Sequence, residues 1–307
     1  MCSLSLALLI LSLIFASILK EKITIIRPIN LLIIALTMGI VLGKYYDEYY
    51  IGTYWISAIL LVLPAILTAA AGYIINDICD ITTDIINKPH RATVGRIITK
   101  RNAWYLYFSL SFISILISFL LKKNDAYIFT YGYINIGITI ILLLYSFFLK
   151  GLPLIGNLIV ASCSASVVAC CLLVAKIESK VGLLNFGGYI IFAFFISLIR
   201  EIVKDLQDEE GDKAANYNTY PIAVGNKGAK FLIYAILTIQ IVCCGIYTII
   251  AWGFSQKISA VIMVIISLSF FYFIQVLGKA KTKDEFGNAS TILKFIMVAG
   301  VINLIFT

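Results

Sequence analysis

Charge and histidine are what this 307-residue chain has least of. Only 13% of its residues are charged while 61% are apolar, far too little charge for a water-facing surface, which excludes a soluble globular domain. The single histidine, His90, excludes an imidazole-rich metal, haem or relay site. The cysteines are odd in number, seven, without paired spacing. Most sit inside apolar runs (Cys163, Cys170, Cys171, Cys243, Cys244), which argues against a disulfide framework or a zinc site. A net charge of +8 would suggest nucleic acid in a soluble protein. In so apolar a chain it records membrane topology instead, and no nucleic-acid partner is expected.

What the chain has in abundance is apolar runs. A bilayer core about 30 Å thick needs roughly 20 helical residues, and polar punctuation divides the sequence into segments of that order. Spans are predicted near 29–43, 55–77, 103–121, 127–148, 153–175, 183–203, 230–253, 258–278 and 291–306. The fold class is therefore all-α, a polytopic membrane protein with about nine transmembrane helices and one domain over 1–307. A further apolar run, 4–19, precedes Lys20-Glu21-Lys22. Residues 1–22 are thus a candidate additional N-terminal helix, interfacial helix or leader, although Met1–Ser3 lacks a basic n-region. Across the nine spans, 18 of the 24 Lys and Arg fall on one side. That asymmetry predicts a multi-pass cell-membrane protein whose loops after spans two and six are cytoplasmic.

Acidic residues are costly near a bilayer, yet nine of the 16 are concentrated at two places. Asn76-Asp77-x-x-Asp80-x-x-x-Asp84 ends span two, and Glu201-x-x-x-Asp205-x-x-Asp208-x-x-x-Asp212 ends span six. At about 100° per residue, Asp77, Asp80 and Asp84 project within a fan of roughly 60°. Asn76 and Asn87 extend the edge of that fan. The identical spacing aligns Asp205, Asp208 and Asp212, with Glu201 joining them. Like charges on one helical face, near the negative pole of the helix dipole, repel one another unless something positive binds. Hard oxygen donors suit Mg²⁺, which is usually shared between a few carboxylates and substrate phosphates. The alternative is a pair of solvated loops neutralised by Lys88, Arg91, Lys204 and Lys213.

With these motifs the chain resembles the UbiA-type intramembrane prenyltransferases. Asn76-Asp77-x-x-Asp80-x-x-x-Asp84 is similar to the family's first aspartate motif, and Asp205-x-x-Asp208-x-x-x-Asp212 to its second. The likeness continues through Arg27-Pro28-x-Asn30, Tyr145-Ser146-x-x-x-Lys150, Gly156-Asn157 and Thr219-x-Pro221-x-x-x-Gly225. It covers nearly everything after about residue 25. Ile86-Asn87-Lys88-Pro89-x-Arg91 and Arg200-Glu201-Ile202-x-Lys204-Asp205-x-x-Asp208-x-x-Gly211-Asp212 are most similar to the digeranylgeranylglyceryl phosphate synthase branch. One departure follows Arg91, where Ala92-Thr93-Val94-Gly95 replaces the branch's usual Pro-Ile-Pro-Ser-Gly.

The resemblance implies a helical bundle around a central cavity open towards lipid. Mg²⁺ would bridge the two Asp stripes to an isoprenyl diphosphate donor, with geranylgeranyl as the prenyl group and geranylgeranylglyceryl phosphate as the lipophilic acceptor. Asp77, Asp80, Asp84, Asp205, Asp208 and Asp212 are the implied catalytic metal ligands. Asn30, Asn76, Asn87, Arg91, Tyr145, Lys150, Asn157 and Lys204 are candidate substrate-binding residues. Tyr73 and Tyr145 are candidate cavity rings, and Cys79, pointing away from the fan, is a packing residue. No obligate protein partner is implied beyond membrane lipid. Two alternatives remain at this stage. One is prenylation of an aromatic quinone precursor such as 4-hydroxybenzoate, and the other an ion-coupled transporter with acids near the bilayer midplane.

Overall fold

The computed structural model describes residues 24–45, 51–87, 93–123 and 126–307. The candidate helix within residues 1–22, and Lys88, His90 and Arg91 beyond the first motif, lie outside the described residues. The helices are α1 (Pro28–Tyr45), α2 (Ile51–Cys79), α3 (Ile81–Asn87), α4 (Lys100–Ser118), α5 (Phe129–Leu144), α6 (Ile155–Ala169), α7 (Lys180–Ala214), α8 (Tyr220–Gly253), α9 (Lys257–Lys279) and α10 (Lys283–Asn303). One antiparallel pair, β1 (Lys122–Lys123) with β2 (Ala126–Tyr127), joins α4 to α5.

Apart from the short α3, these helices coincide in order with the predicted spans. Among the described residues eight helices are long and apolar enough to cross a membrane. The remaining span, α4, is more polar because it opens on Lys100-Arg101-Asn102 and turns Ser111, Ser114 and Ser118 inward. Large apolar side chains such as Phe231, Ile249, Trp252 and Phe295 are exposed on the outside of the bundle. Such a surface is at home in hydrocarbon rather than water, and the chain is an integral membrane protein.

Helices in lipid gain little from burying one apolar surface on another, so close approach and internal hydrogen bonds hold them together. In α2 the run Ala70-Ala71-Gly72 admits α5 closely. A Cβ on Gly72 would stand 3.0 Å from Leu142 Cδ1. Thr68 Oγ1 donates to Asn135 Oδ1 (2.6 Å), Asn135 Nδ2 to Ser114 Oγ (2.8 Å), and Ser114 Oγ to the Pro64 carbonyl (2.8 Å). Three helices are thereby tied at one buried point beside the proline in α2. Asn135→Leu is expected to cost about 1 kcal/mol, read as a lower Tm in detergent with unchanged turnover. An unchanged Tm would show that these bonds do not tie α5 to its neighbours.

The apolar cores sit beneath the two acidic motifs. Ile74, Ile75 and Ile78 of α2 pack with Ile25, Val94, Ala103 and Tyr107. Ile199, Ile202, Val203 and Leu206 of α7 pack with α8, α9 and α10 through Ile233, Phe273 and Phe286. The second core explains how far α7 extends beyond its predicted span of 183–203. The second motif is helical, as its spacing implies, because α7 runs past the apolar span to Ala214. Leu206 is buried in that core, and Glu209 pairs with Lys213 one turn on (2.5 Å), so the extension is held by packing and an i,i+4 ion pair. The first motif is also helical, interrupted only at Asp80 between α2 and α3. Near its start α8 kinks at Gly225. Gly225 takes φ 74° and ψ 163°, a conformation open to glycine alone.

Candidate functional site: two acidic stripes at one end of the bundle

α2 and α3 carry the first stripe and α7 the second. Asp77, buried, accepts from Arg27 Nη2 at 2.8 Å. Arg27 precedes α1 with a positive φ of 51°, and its guanidinium lies 4.6 Å from the centre of the Tyr73 ring. Asp80 stands at the helix break, where its side chain accepts from Asn76 Nδ2 (2.6 Å) and Thr83 Oγ1 (3.1 Å) and is ion-paired with Lys150. On α7, Asp205 accepts from Asn157 Nδ2 (2.7 Å). Glu201 accepts from both Lys204 (2.7 Å) and Arg200 (3.1 Å).

Lys150 reaches Asp80 because α5 ends in a π turn, Tyr145–Leu149, in which the Lys150 N–H donates to the Tyr145 carbonyl (3.0 Å). Such turns re-aim the residues at either end. The next loop folds back tightly, with Leu154 at φ 65°. A Cβ on Gly156 would come within 3.0 Å of the Lys150 backbone and 3.2 Å of the Tyr145 ring. Burial works against the Lys150 ammonium, but the Asp80 carboxylate outweighs it. With the Tyr217 hydroxyl, that carboxylate holds the Lys150 pKa above its ordinary value, so Lys150 is a cation at neutral pH.

The stripes are also joined by hydrogen bonds at Asn87. Its Nδ2 donates to the Asp208 carbonyl (3.0 Å), and its Oδ1 accepts from the Gly211 N–H (3.1 Å). Lys283 Nζ, from the start of α10, donates to the Asn87 carbonyl (2.5 Å). Gly211 is obligatory for this contact, since a Cβ there would lie 2.2 Å from Asn87 Nδ2. Asn87, placed by the sequence among substrate-binding residues, thus has its side-chain amide engaged in joining α3 to α7.

The remaining candidates are distributed as follows. Asp84, Asp208 and Asp212 are partly exposed on the same two stripes, and Asn30 is half-buried in the first turn of α1. Cys79 lines a cleft with Lys100, Trp104 and Tyr217. Arg27, Arg200 and Tyr217 were not among the candidate site residues. For Arg27 and Arg200 the signal was their place inside the quoted motifs. Tyr217, which covers Lys150 with its ring (5.2 Å to the centre), lies in no motif.

Among the described residues no three acidic, cysteine or histidine side chains converge tightly enough to hold a metal ion alone. Among the described residues, the acceptor Asn76 Oδ1 and the donor Arg200 Nε are buried without a hydrogen-bond partner. An oxygen-rich donor set, an unmet amide oxygen and an unmet guanidinium N–H fit a hard cation shared with an anion supplied by substrate. They do not fit an all-protein metal cage.

Residues 31–295 match the model of the UbiA prenyltransferase family. The chain is 33% identical over 225 residues to a digeranylgeranylglyceryl phosphate synthase of Methanobrevibacter smithii, covering 72% of this chain and 75% of that one. Its fold is similar to a solved structure of digeranylgeranylglyceryl phosphate synthase, with TM-score 0.65 and 22% identity over 94% of this chain and 99% of that chain. It is also similar to a UbiA homologue from Archaeoglobus fulgidus bound to DMAPP and Mg²⁺. That TM-score is 0.65 at 16% identity, over 92% of this chain and 99% of the other.

Proposed function

Because the chain belongs to the UbiA prenyltransferase family, we propose that it transfers a geranylgeranyl group from geranylgeranyl diphosphate to geranylgeranylglyceryl phosphate within the membrane. Membership makes it a membrane-embedded prenyltransferase, which sets the ion-coupled carrier aside. The acceptor follows from its similarity to a digeranylgeranylglyceryl phosphate synthase. The observation that carries the site is that two acidic stripes are joined through Asn87 to Gly211, with Arg27 and Lys150 paired to Asp77 and Asp80 of the first.

Asp77, Asp80 and Asp84 of one stripe and Asp205, Asp208 and Asp212 of the other would hold Mg²⁺, with Asn76 Oδ1 as a further oxygen. When bound, Mg²⁺ neutralises charge on the departing diphosphate oxygens and orients them. The chain's own part is to bind, orient and exclude water. Lys150, Lys204 and Arg200 donate charge-assisted hydrogen bonds to diphosphate oxygens. Arg91, outside the described residues, is assigned the same role. Arg27 and Lys150, which hold Asp77 and Asp80 here, keep those carboxylates from repelling one another until the donor and its ions arrive. Tyr145 presents its ring where positive charge develops on the allylic carbon, and Asn157 orients Asp205. Asn30 lines the acceptor side at the start of α1. The excess of Lys and Arg at this end supports a cytoplasmic position for both stripes.

The test is a transfer assay on purified protein with geranylgeranyl diphosphate, Mg²⁺ and a panel of acceptors, read by mass spectrometry. Product is expected with geranylgeranylglyceryl phosphate. Product with 4-hydroxybenzoate and none with geranylgeranylglyceryl phosphate would overturn the acceptor assignment.

A further inference from the structure

A second cavity lies at the other end of the bundle, between α7, α8, α9 and α10, lined among others by Asn185, Phe192, Gln240, Tyr247, Met263 and Asn303. Asn185 precedes Asp205 by 20 residues of the same helix, which is roughly 30 Å along its axis. The cavity therefore has no part in the acidic site. Its walls are mostly apolar, yet two carbonyl oxygens in it have no partner. Gln240 Oε1 and Asn303 Oδ1 are both buried without a hydrogen bond, in residues only 1% and 4% exposed.

An unmet acceptor is expensive in a membrane interior, where no bulk water reaches it. The donors on Tyr247 and Gln240 are committed or weak. Tyr247 Oη lies 3.1 Å from Asn185 Oδ1 and 3.1 Å from Ser259 Oγ. Gln240 Nε2 reaches only the Cys244 sulfur, at 3.9 Å. What is missing is a donor. Phosphodiester oxygens, which only accept, are repelled by two carbonyls, and an ammonium would carry a charge into an apolar cavity. A hydroxyl is neutral and brings one hydrogen, which either carbonyl oxygen can accept while the hydroxyl oxygen accepts from the side-chain N–H of the other amide. The cavity also reaches the outer, apolar surface of the bundle, where Ile191 is half exposed and Cys243 is exposed. A hydrocarbon chain attached to that hydroxyl can leave sideways into the bilayer.

We propose that this cavity binds a membrane lipid through a free hydroxyl group, held by Gln240 and Asn303, at a site separate from prenyl transfer. The probe is a hexadecanol analogue bearing a diazirine and an alkyne, photolysed with the full chain in phosphatidylcholine vesicles and mapped by peptide mass spectrometry. Adducts are expected on the α7 and α8 segments that line the cavity. Unlabelled hexadecanol should compete, whereas hexadecane and hexadecyl methyl ether, which cannot donate, should not. Replacing both residues, Gln240→Leu with Asn303→Leu, should lower labelling roughly fivefold, the loss expected for a hydrogen bond. Prenyl transfer should be unchanged in that variant, and its Tm in detergent without alcohol equal to or above that of the parent.

Labelling that survives the double variant, or that hexadecane or the methyl ether displaces as well as hexadecanol does, would overturn the proposal. So would a lower Tm of the alcohol-free double variant, since it would mean that the protein itself already satisfies the two oxygens.

Discussion

Replacing Asp80 is expected to abolish transfer: Asp80→Asn should lower turnover by at least about 10²–10³-fold, the cost of removing one preorganised electrostatic contact to developing charge. The isosteric amide keeps the size of the side chain and removes only its charge. Asp80→Asn and Asp80→Ala both carry a structural penalty as well. Lys150 and Asp80 have side chains just 8% and 17% exposed, and breaking so buried a pair strands a cation, at about 3 kcal/mol. Adding Lys150→Met to Asp80→Ala should restore most of the lost Tm while leaving the enzyme inactive. That combination separates the structural ion pair from the chemistry. Asp80→Asn retaining more than a tenth of parental turnover at an unchanged Mg²⁺ requirement would remove Asp80 from the metal-binding set. Asp208→Ala tests the second stripe in the same way, and it should also abolish turnover with membrane insertion preserved.

Gly211→Ala should be nearly as damaging although it adds one methyl group and touches no charge. The added Cβ falls 2.2 Å from Asn87 Nδ2, so α3 and α7 must part or the Asn87 amide must abandon both its bonds. Overpacking of this kind costs about 1–3 kcal/mol, and a displacement near 1 Å between parts of an active site costs on the order of 10² in rate. The clash predicts its own rescue. In an Asn87→Ala background, which carries the loss of those two hydrogen bonds, Gly211→Ala should add little further loss of Tm. The two substitutions should therefore couple by at least about 1 kcal/mol in a double-mutant cycle. Additive effects on both Tm and turnover would show that the Asn87 contact does not set the spacing of the two stripes.

The helices were legible because lipid makes a stringent demand on sequence: any crossing segment must be apolar and must satisfy its own backbone. Even α4, the most polar crossing, followed that rule well enough to be found. The acidic motifs were legible for the converse reason, since carboxylates at membrane depth are too costly to occur twice with one spacing by accident. Their helical phase also held, because α2 and α3 continue across Asp80 with Asp84 N–H bonded to the Asp80 carbonyl. What composition could not reveal was how far α7 runs. Its last turns are charged and lie beyond the apolar span, and the burial of Leu206 in the core with the Glu209–Lys213 pair holds them helical.

The sequence by itself determined the membrane class, the order of the spans and the two stripes of carboxylates, because each of these rests on local periodicity and on the cost of charge in hydrocarbon. The tertiary structure decided which partners the carboxylates have. Arg27 lies 50 residues from Asp77 and Lys150 lies 70 from Asp80, and no local pattern encodes such pairings. It also decided that Asn87 and Gly211 hold the stripes together, a contact set by how closely two backbones approach. The second cavity belongs to the same class of facts. Gln240 and Asn303 read singly as polar residues in apolar helices, and only folding brings their unmet carbonyls to one cavity far from the acidic end.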